Sequence, residues 1–422
     1  MTFKKILFQV HWFIGITAGI VMAIVGVTGG MLSFEHELLY VFNRGVMHIT
    51  PPGTQALSPV ELIERVQTAN PGRRIVSLTM SSDPEDTARV GFAVDAQSAP
   101  AAPGGQRRGE MRYVDPYSGA VLDKPAGEEF FRTVTRVHRW LAAGETGKQI
   151  VGAATIGLIV LCCSGLYLRW PNRITDWRAW FVFRLALQGR GFLWQLHAVI
   201  GTWALLFYLL AGLTGLYWSY DWYRDALFAI TGAPRPAQAG AGGGQQSAPP
   251  GASRPGEQAK GEAGQGARAA ESVPRQQADI GNIWGAFRTA VPEFSTATLR
   301  LPEKTGQAVQ ITYLDRDPPH ERATNRITLN AAGGKIMQHE RYADKPAGAK
   351  IMSSMFALHS GSFFGKTGMI LMMLASLVMP LFAITGWMMY LDRRGKKSGR
   401  RRSRIPVSRA TAAGGRPRRD EA

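Results

Sequence analysis

The chain has 422 residues, 45% of them apolar, with 49 Lys and Arg against 31 Asp and Glu for a net charge of +18. That average conceals four uncharged stretches, 12–34, 149–168, 191–220 and 367–391. Each has about 20 residues or more, which at a rise of ~1.5 Å per residue crosses a ~30 Å hydrocarbon core. A soluble cytosolic protein is excluded, and the fold class expected is an α-helical membrane protein with a four-helix transmembrane bundle.

In chain order, the first span occupies 1–34. It runs straight into Glu35 and Glu37 rather than a small-residue cleavage site, so it reads as retained. Residues 35–147 form an external domain. Its Ser58-Pro59-x-Glu61 is a capping box that opens a short helix stopped by Asn70-Pro71-Gly72. Alternating runs at 75–80 and 88–94 and a hairpin over 112–122 follow. The second span is 148–170, a loop rich in arginine is 171–190, and the third span is 191–220. A second external domain, 221–366, has a helix capped by Asp279 and ending at Val291-Pro292, strands at 298–301, 308–314 and 326–329, and a turn at Gly333-Gly334. The fourth span is 367–391, and 392–422 is a basic tail. One helix on a small antiparallel sheet, twice, makes two small α+β external domains.

The positive charges orient the spans. Lys4 and Lys5, Arg169 through Arg190, and Arg393 onward sit in short segments of the kind retained in the cytoplasm, so both termini and the middle loop are expected inside. The basic tail reads as topogenic and solvated, with no nucleic-acid partner implied. Cys162 and Cys163 are adjacent within a span, so they do not staple the external domains. No Cys-x-x-Cys-His is present for covalent haem attachment.

Sliding the chain on itself exposes a tandem repeat. His11, Gly15, Thr28-Gly29 and Glu35 recur 186 residues later as His197, Gly201, Thr214-Gly215 and Asp221. Asp123-Lys-Pro-Ala-Gly127, His138, Gly144, Thr146-Gly147 and Gly165 recur 221 residues later as Asp344-Lys-Pro-Ala-Gly348, His359, Gly365, Thr367-Gly368 and Gly386. The chain thus reads as two copies of span, external domain and span. The difference between the offsets marks an insertion at 233–278, where 37 of 46 residues are Gly, Ala, Pro, Gln or Ser, a composition expected to form a disordered loop.

Four of the eight histidines obey the repeat: His11, His138, His197 and His359. Each falls at or before the N-terminal end of its span, where the helix dipole favours a neutral, metal-ligating imidazole. Topology sorts them by depth, His11 with His197 on the cytoplasmic side and His138 with His359 on the external side. Two histidines from two helices at one depth suit a six-coordinate b-type haem, and neighbouring glycines admit a flat macrocycle. Two such sites would make a relay across the membrane. His36 reads as part of a solvated interfacial cluster, while His48, His320 and His339 have no repeat partners and read as surface residues. Met369, Met372, Met373 and Met379 read as packing, and Pro380 as a kink in the fourth span. Trp140 and Trp194 stand near enough in sequence to the ligand histidines to pack on a porphyrin.

The His11-Trp-x2-Gly15 opening, the Thr28-Gly29 and Glu35 exit, the Arg136-Val-His138-Arg-Trp-Leu segment and the Leu358-His359-Ser-Gly361 run resemble the PepSY-associated transmembrane proteins of bacteria. The resemblance implies two periplasmic PepSY-like domains, location in the inner membrane, and two non-covalent b haems on His11, His138, His197 and His359. It further implies reduction of a periplasmic ferric siderophore or other ferric chelate. No flavin or nucleotide module with a Gly-x-Gly-x-x-Gly segment is found, so quinol or a separate cytoplasmic reductase is the expected donor. Two other functions compete with this one. A non-enzymatic regulator binding a periplasmic partner through its PepSY domains would leave the histidine repetition unexplained. A transporter is disfavoured, because both copies have the same orientation and the spans are poor in titratable residues.

Overall fold

The computed structural model describes residues 2–93, 109–171, 173–184, 186–235, 279–302 and 306–402, the last eight as backbone only. The insertion at 233–278 lies outside the described residues from 236 on, as does the basic tail from 403 on.

Among the described residues four helices, α1 (Phe3–Leu32), α5 (Gly144–Arg169), α7 (Gly189–Ser219) and α12 (Gly365–Arg402), are long and apolar enough to cross a membrane. They are joined outside the bundle by α2 (Glu35–Phe42), α3 (Pro59–Ala69), α4 (Glu128–Trp140), α6 (Trp177–Phe181), α8 (Asp221–Thr231), α9 (Ile280–Ala290), α10 (Ala347–Ser353) and α11 (Met355–Ser360). Among the described residues seven strands complete the fold: β1 (Ile75–Ser81), β2 (Ala88–Phe92), β3 (Met111–Val114), β4 (Thr296–Arg300), β5 (Val309–Leu314), β6 (Asn325–Leu329) and β7 (Ile336–Glu340).

The bundle closes through residues that lack side chains. Gly19, Gly26 and Gly30 bring α1 against Ala383, Met379 and Leu377 of α12. A Cβ built on Gly26 would meet Met379 and stand 2.7 Å from the Ser376 carbonyl oxygen. That carbonyl lies four residues before Pro380, whose ring nitrogen has no hydrogen to offer it. Met22, Ala154, Tyr208, Ala375 and Met379 fill the shared core, and the Tyr208 hydroxyl donates to the Ala375 carbonyl at 2.8 Å.

The external strands form one sheet rather than two. Its order is β3-β2-β1-β4-β5-β6-β7, antiparallel throughout, and β1 pairs with β4 from Ser77 opposite Arg300 to Ser81 opposite Thr296. The sequence pattern marks six of these strands, β7 having no counterpart in it, and says nothing of edges. Here the edge of each half is covered by that of the other, with the Thr79 and Thr298 hydroxyls 2.9 Å apart across the seam. Leu62 and Val66 of α3 are buried with Leu78 and Val90, while Ile283 and Phe287 of α9 are buried with Leu299 and Ile311. Ile63 packs against both clusters. The Ser58 capping box and the Asp279 cap are both formed.

One expectation needs correction. His320 is 4% exposed rather than a surface residue. Its Nδ1 accepts from the Arg322 amide, which leaves the proton on Nε2, in reach of Ser354 and Tyr342 at 2.9 and 3.1 Å. Burial holds it below its ordinary value, so it serves as a fixed neutral tie between the loop at 320 and α10–α11. His339 is exposed on β7, with Nε2 2.7 Å from the Tyr313 hydroxyl, and His48 is half-buried, its ring stacked on Tyr40 with centroids 4.4 Å apart. Neither His138 nor His359 belongs to a membrane-length helix; each precedes one. His138 lies in α4, which turns into α5 through Leu141 and Ala142 in the left-handed region at φ 48° and 55°. His359 lies in α11, separated from α12 by residues 361–364.

Overpacking a tight helix contact costs about 1–3 kcal/mol. Gly26→Ala should therefore lower the thermal midpoint of the purified full chain. Gly285→Ala, where a Cβ meets nothing within 4 Å on α9, should leave it equal or slightly higher. Size-exclusion fluorescence after heating reads both; equal effects would show that the α1–α12 approach is not limiting.

Candidate functional site

The four repeated histidines meet in two pairs. His11 of α1 faces His197 of α7 with ring centroids 6.3 Å apart and planes at 67°. His138 of α4 faces His359 of α11 with the same separation and angle, 6.3 Å and 67°. The first pair lies toward the end of the bundle that has the termini, the second toward the end that carries the sheet. Along α1, His11 and the Val25–Gly29 stretch that receives His138 are 14 to 18 residues apart, or about 21–27 Å.

Each imidazole is held by one hydroxyl. His11 Nδ1 is 2.8 Å from Ser164 Oγ, His197 Nδ1 2.8 Å from Thr385 Oγ1, His138 Nδ1 3.1 Å from Thr28 Oγ1, and His359 Nδ1 2.9 Å from Thr214 Oγ1. A hydroxyl has one proton, and in all four cases it is directed at the carbonyl four residues earlier. Ser164 donates to Val160 at 2.6 Å, Thr385 to Leu381 at 2.7 Å, Thr28 to Ile24 at 2.7 Å and Thr214 to Leu210 at 2.6 Å. With its proton given to that nearer carbonyl, each hydroxyl accepts from the ring, which assigns the imidazole proton to Nδ1 and the free lone pair to Nε2. For His138 there is a second proof, because Nδ1 is also 3.0 Å from the Val25 carbonyl oxygen, which has nothing to donate.

This replaces the helix-dipole argument. His11 and His197 are each the ninth residue of their helices, beyond the first turn where the dipole acts, and His138 and His359 are near the C-terminal ends of α4 and α11. The neutral tautomer is set by hydroxyls instead. The signal was available, since Thr28 and Thr214 share one offset and Ser164 and Thr385 the other. In every case a glycine follows the hydroxyl. A Cβ on Gly29 would stand 3.1 Å from His138 Cε1, on Gly165 3.2 Å from His11 Cε1, and on Gly215 3.4 Å from His359 Cε1. A Cβ on Gly386 meets nothing within 4 Å.

Beside the first pair lies a cavity of about 690 Å³, lined mostly by apolar side chains and by Gly15, Gly19, Gly165, Gly201 and Gly386. Trp194 lines it, as expected, and so does Trp12. Phe382 stands edge-on to His197 with centroids 5.1 Å apart. At the second pair it is Trp218, not Trp140, that meets a histidine ring, 5.4 Å from His359. Met372 and Met379 are buried packing residues, and His36 is exposed and stacked on Tyr40.

A metal between the paired rings fits the spacing. Two metal–nitrogen bonds of about 2 Å, with about 1 Å from each nitrogen to its ring centre, span close to the observed separation. Two nitrogens do not complete a tetrahedral site, and among the described residues no third His, Cys, Asp or Glu joins either pair. A planar macrocycle that brings its own four donors fits this donor set.

Fold and site together define a multi-pass membrane protein built around two half-buried histidine pairs. Residues 8–393 match the model of the PepSY-associated TM region, and the chain belongs to that family. No curated protein matches the sequence.

The tautomer is directly measurable. In metal-free protein labelled with ¹⁵N-histidine, nitrogen shifts should report Nδ1–H and bare Nε2 for four of the eight histidines. Thr385→Val should remove His197 from that set, and Ser164→Ala should do the same to His11. Unchanged spectra would show that the hydroxyls do not set the tautomer.

Proposed function

We propose that the protein is a transmembrane electron-transfer protein holding two non-covalent b haems, one between His11 and His197 and one between His138 and His359. On this reading it reduces a ferric chelate of the siderophore class with electrons from quinol or a separate cytoplasmic reductase. The membrane is the bacterial inner membrane, with both termini in the cytoplasm and two PepSY-like lobes in the periplasm, arranged as two copies of span, lobe and span. The observation that supports it most is the matched pairs: four imidazoles, each with Nε2 freed by the same hydroxyl device, at one spacing in two layers.

Haem bound between such pairs supplies reversible one-electron transfer at iron. The chain's own part is to hold and to exclude. Nδ1–H bonds to hydroxyls fix ring orientation, and outer-shell partners of this kind are typically worth 10–100-fold in metal affinity. The apolar lining keeps water out of the first site. The second pair lies about 5–10 Å inside the α1 end that faces the sheet, where a polar oxidant approaches without entering the bilayer. A ferric chelate suits this, because the product of one-electron uptake, ferrous iron, is held less tightly by hard oxygen donors and is released. No protein nucleophile or general base is required.

Two experiments test the reading. Purified protein from a haem-replete host should show b-type reduced bands, with all haem extractable into acid acetone. His11→Ala or His197→Ala should lose one haem, and His138→Ala or His359→Ala the other, whereas His36→Ala should keep both. A colourless protein ends the proposal. For the reaction, dithionite-reduced protein is mixed with hydroxamate and catecholate ferric siderophores in stopped flow, with ferrous iron trapped by a colorimetric chelator. Haem oxidation should accompany ferrous release; reoxidation no faster than with the iron-free siderophore would assign another electron acceptor.

A further inference from the structure

The cavity beside His11 and His197 has an unusual charge pattern for its setting. Its thirty lining residues include Arg169, Arg190 and Arg393 but no Asp or Glu. All three lie toward the termini end. Arg190 precedes His197 by 7 residues on α7, about 10 Å along the axis; Arg169 follows Ser164, the hydroxyl partner of His11, by 5 residues, about 8 Å; Arg393 follows Thr385, the partner of His197, by 8 residues, about 12 Å.

Little neutralises these cations. Arg190 has a loose contact with Asp392 at 3.9 Å. Arg169 is aimed by two carbonyls of α6, Ala179 at 2.6 Å and Trp180 at 2.7 Å, which position the guanidinium without balancing its charge, and its Nε is buried with no partner. Arg393 lies over the Phe8 ring at 4.5 Å. Three guanidinium groups and one carboxylate therefore leave two positive charges beside an apolar cavity, with Arg169 half-buried and Arg190 and Arg393 open at its mouth, where an anion can reach them. Guanidinium pairs best with planar oxyanions, and carboxylates match its fork.

We propose that Arg169, Arg190 and Arg393 form a carboxylate-binding collar at the termini end of this cavity, which takes the two propionate groups of a haem held between His11 and His197 and fixes which edge of the macrocycle faces that end. This rests on the haem reading above, and adds that the site recognises the carboxylates and not the ring alone. The two excess cations match the two carboxylates in number. Anionic lipid headgroups offer similar chemistry and are the competing source.

The test uses the full chain with His138→Ala and His359→Ala, prepared without haem in zwitterionic nanodiscs and titrated with haemin or with haemin dimethyl ester. The free acid should bind at least tenfold more tightly than the ester. Arg169→Gln, Arg190→Gln and Arg393→Gln together should reduce that ratio to within twofold and leave ester affinity unchanged. Arg190→Lys with Arg393→Lys should retain most of it. The unsubstituted chain provides the same comparison with two sites, one of which discriminates, should the histidine variant fail to fold. Equal affinity for acid and ester would overturn the collar while leaving the haem reading intact. Failure of both porphyrins to bind the unsubstituted chain would overturn the haem reading itself. Discrimination that disappears when anionic lipid is added would assign the arginines to headgroups and overturn the proposal.

Discussion

A hydroxyl group has a single proton, and in this protein that proton is committed four times to a helix carbonyl. Ser164, Thr385, Thr28 and Thr214 are left able only to accept, and each accepts from a different imidazole. The rest of the site follows from this constraint. Nδ1–H is then fixed, Nε2 is left free, and the ring cannot rotate without losing that bond. The glycine that follows each hydroxyl has no side chain to crowd the ring. In three of the four cases the ring edge occupies the space a methyl group would need.

The pairs also show how the two halves of the chain share labour. Orientation is local to a half: His11 with Ser164, His138 with Thr28, His197 with Thr385, His359 with Thr214. Pairing always crosses between halves, His11 with His197 and His138 with His359. The external seam crosses too, since β1 comes from one half and β4 from the other. Rocking one half against the other, as alternating access requires, would break that ladder and both pairs together.

Much of this was legible in the residues. Four apolar stretches gave the spans, the offsets of 186 and 221 singled out the four histidines among eight, and the Ser58 box and the Asp279 cap located α3 and α9. What was missed depends on contacts between distant segments. A strand pattern records alternation, not which edge meets which, so the joining of β1 to β4 had no local signature. The left-handed turn at Leu141 and Ala142 uses residues that favour helix, and it is what sets α4 apart from the span that follows it. His320 seemed superficial because it has no repeat partner, whereas burial depends on neighbours the repeat does not include. The hydroxyls were in view, but their role appears only when the helices are placed side by side.

The crossing of partners has a consequence for synthesis. When the first half has left the ribosome, His11 and His138 have their hydroxyl partners on hand yet neither has a companion ring. The companion of His11 arrives with α7, the companion of His138 only with α11, and the hydroxyl that steadies His197 only with α12, the final helix. A truncated chain can therefore insert in the bilayer with correctly turned imidazoles and still offer no complete site. Were a metal centre captured by both layers as proposed, its loading would report that translation had reached the last span and would act as a quality check on the finished polypeptide.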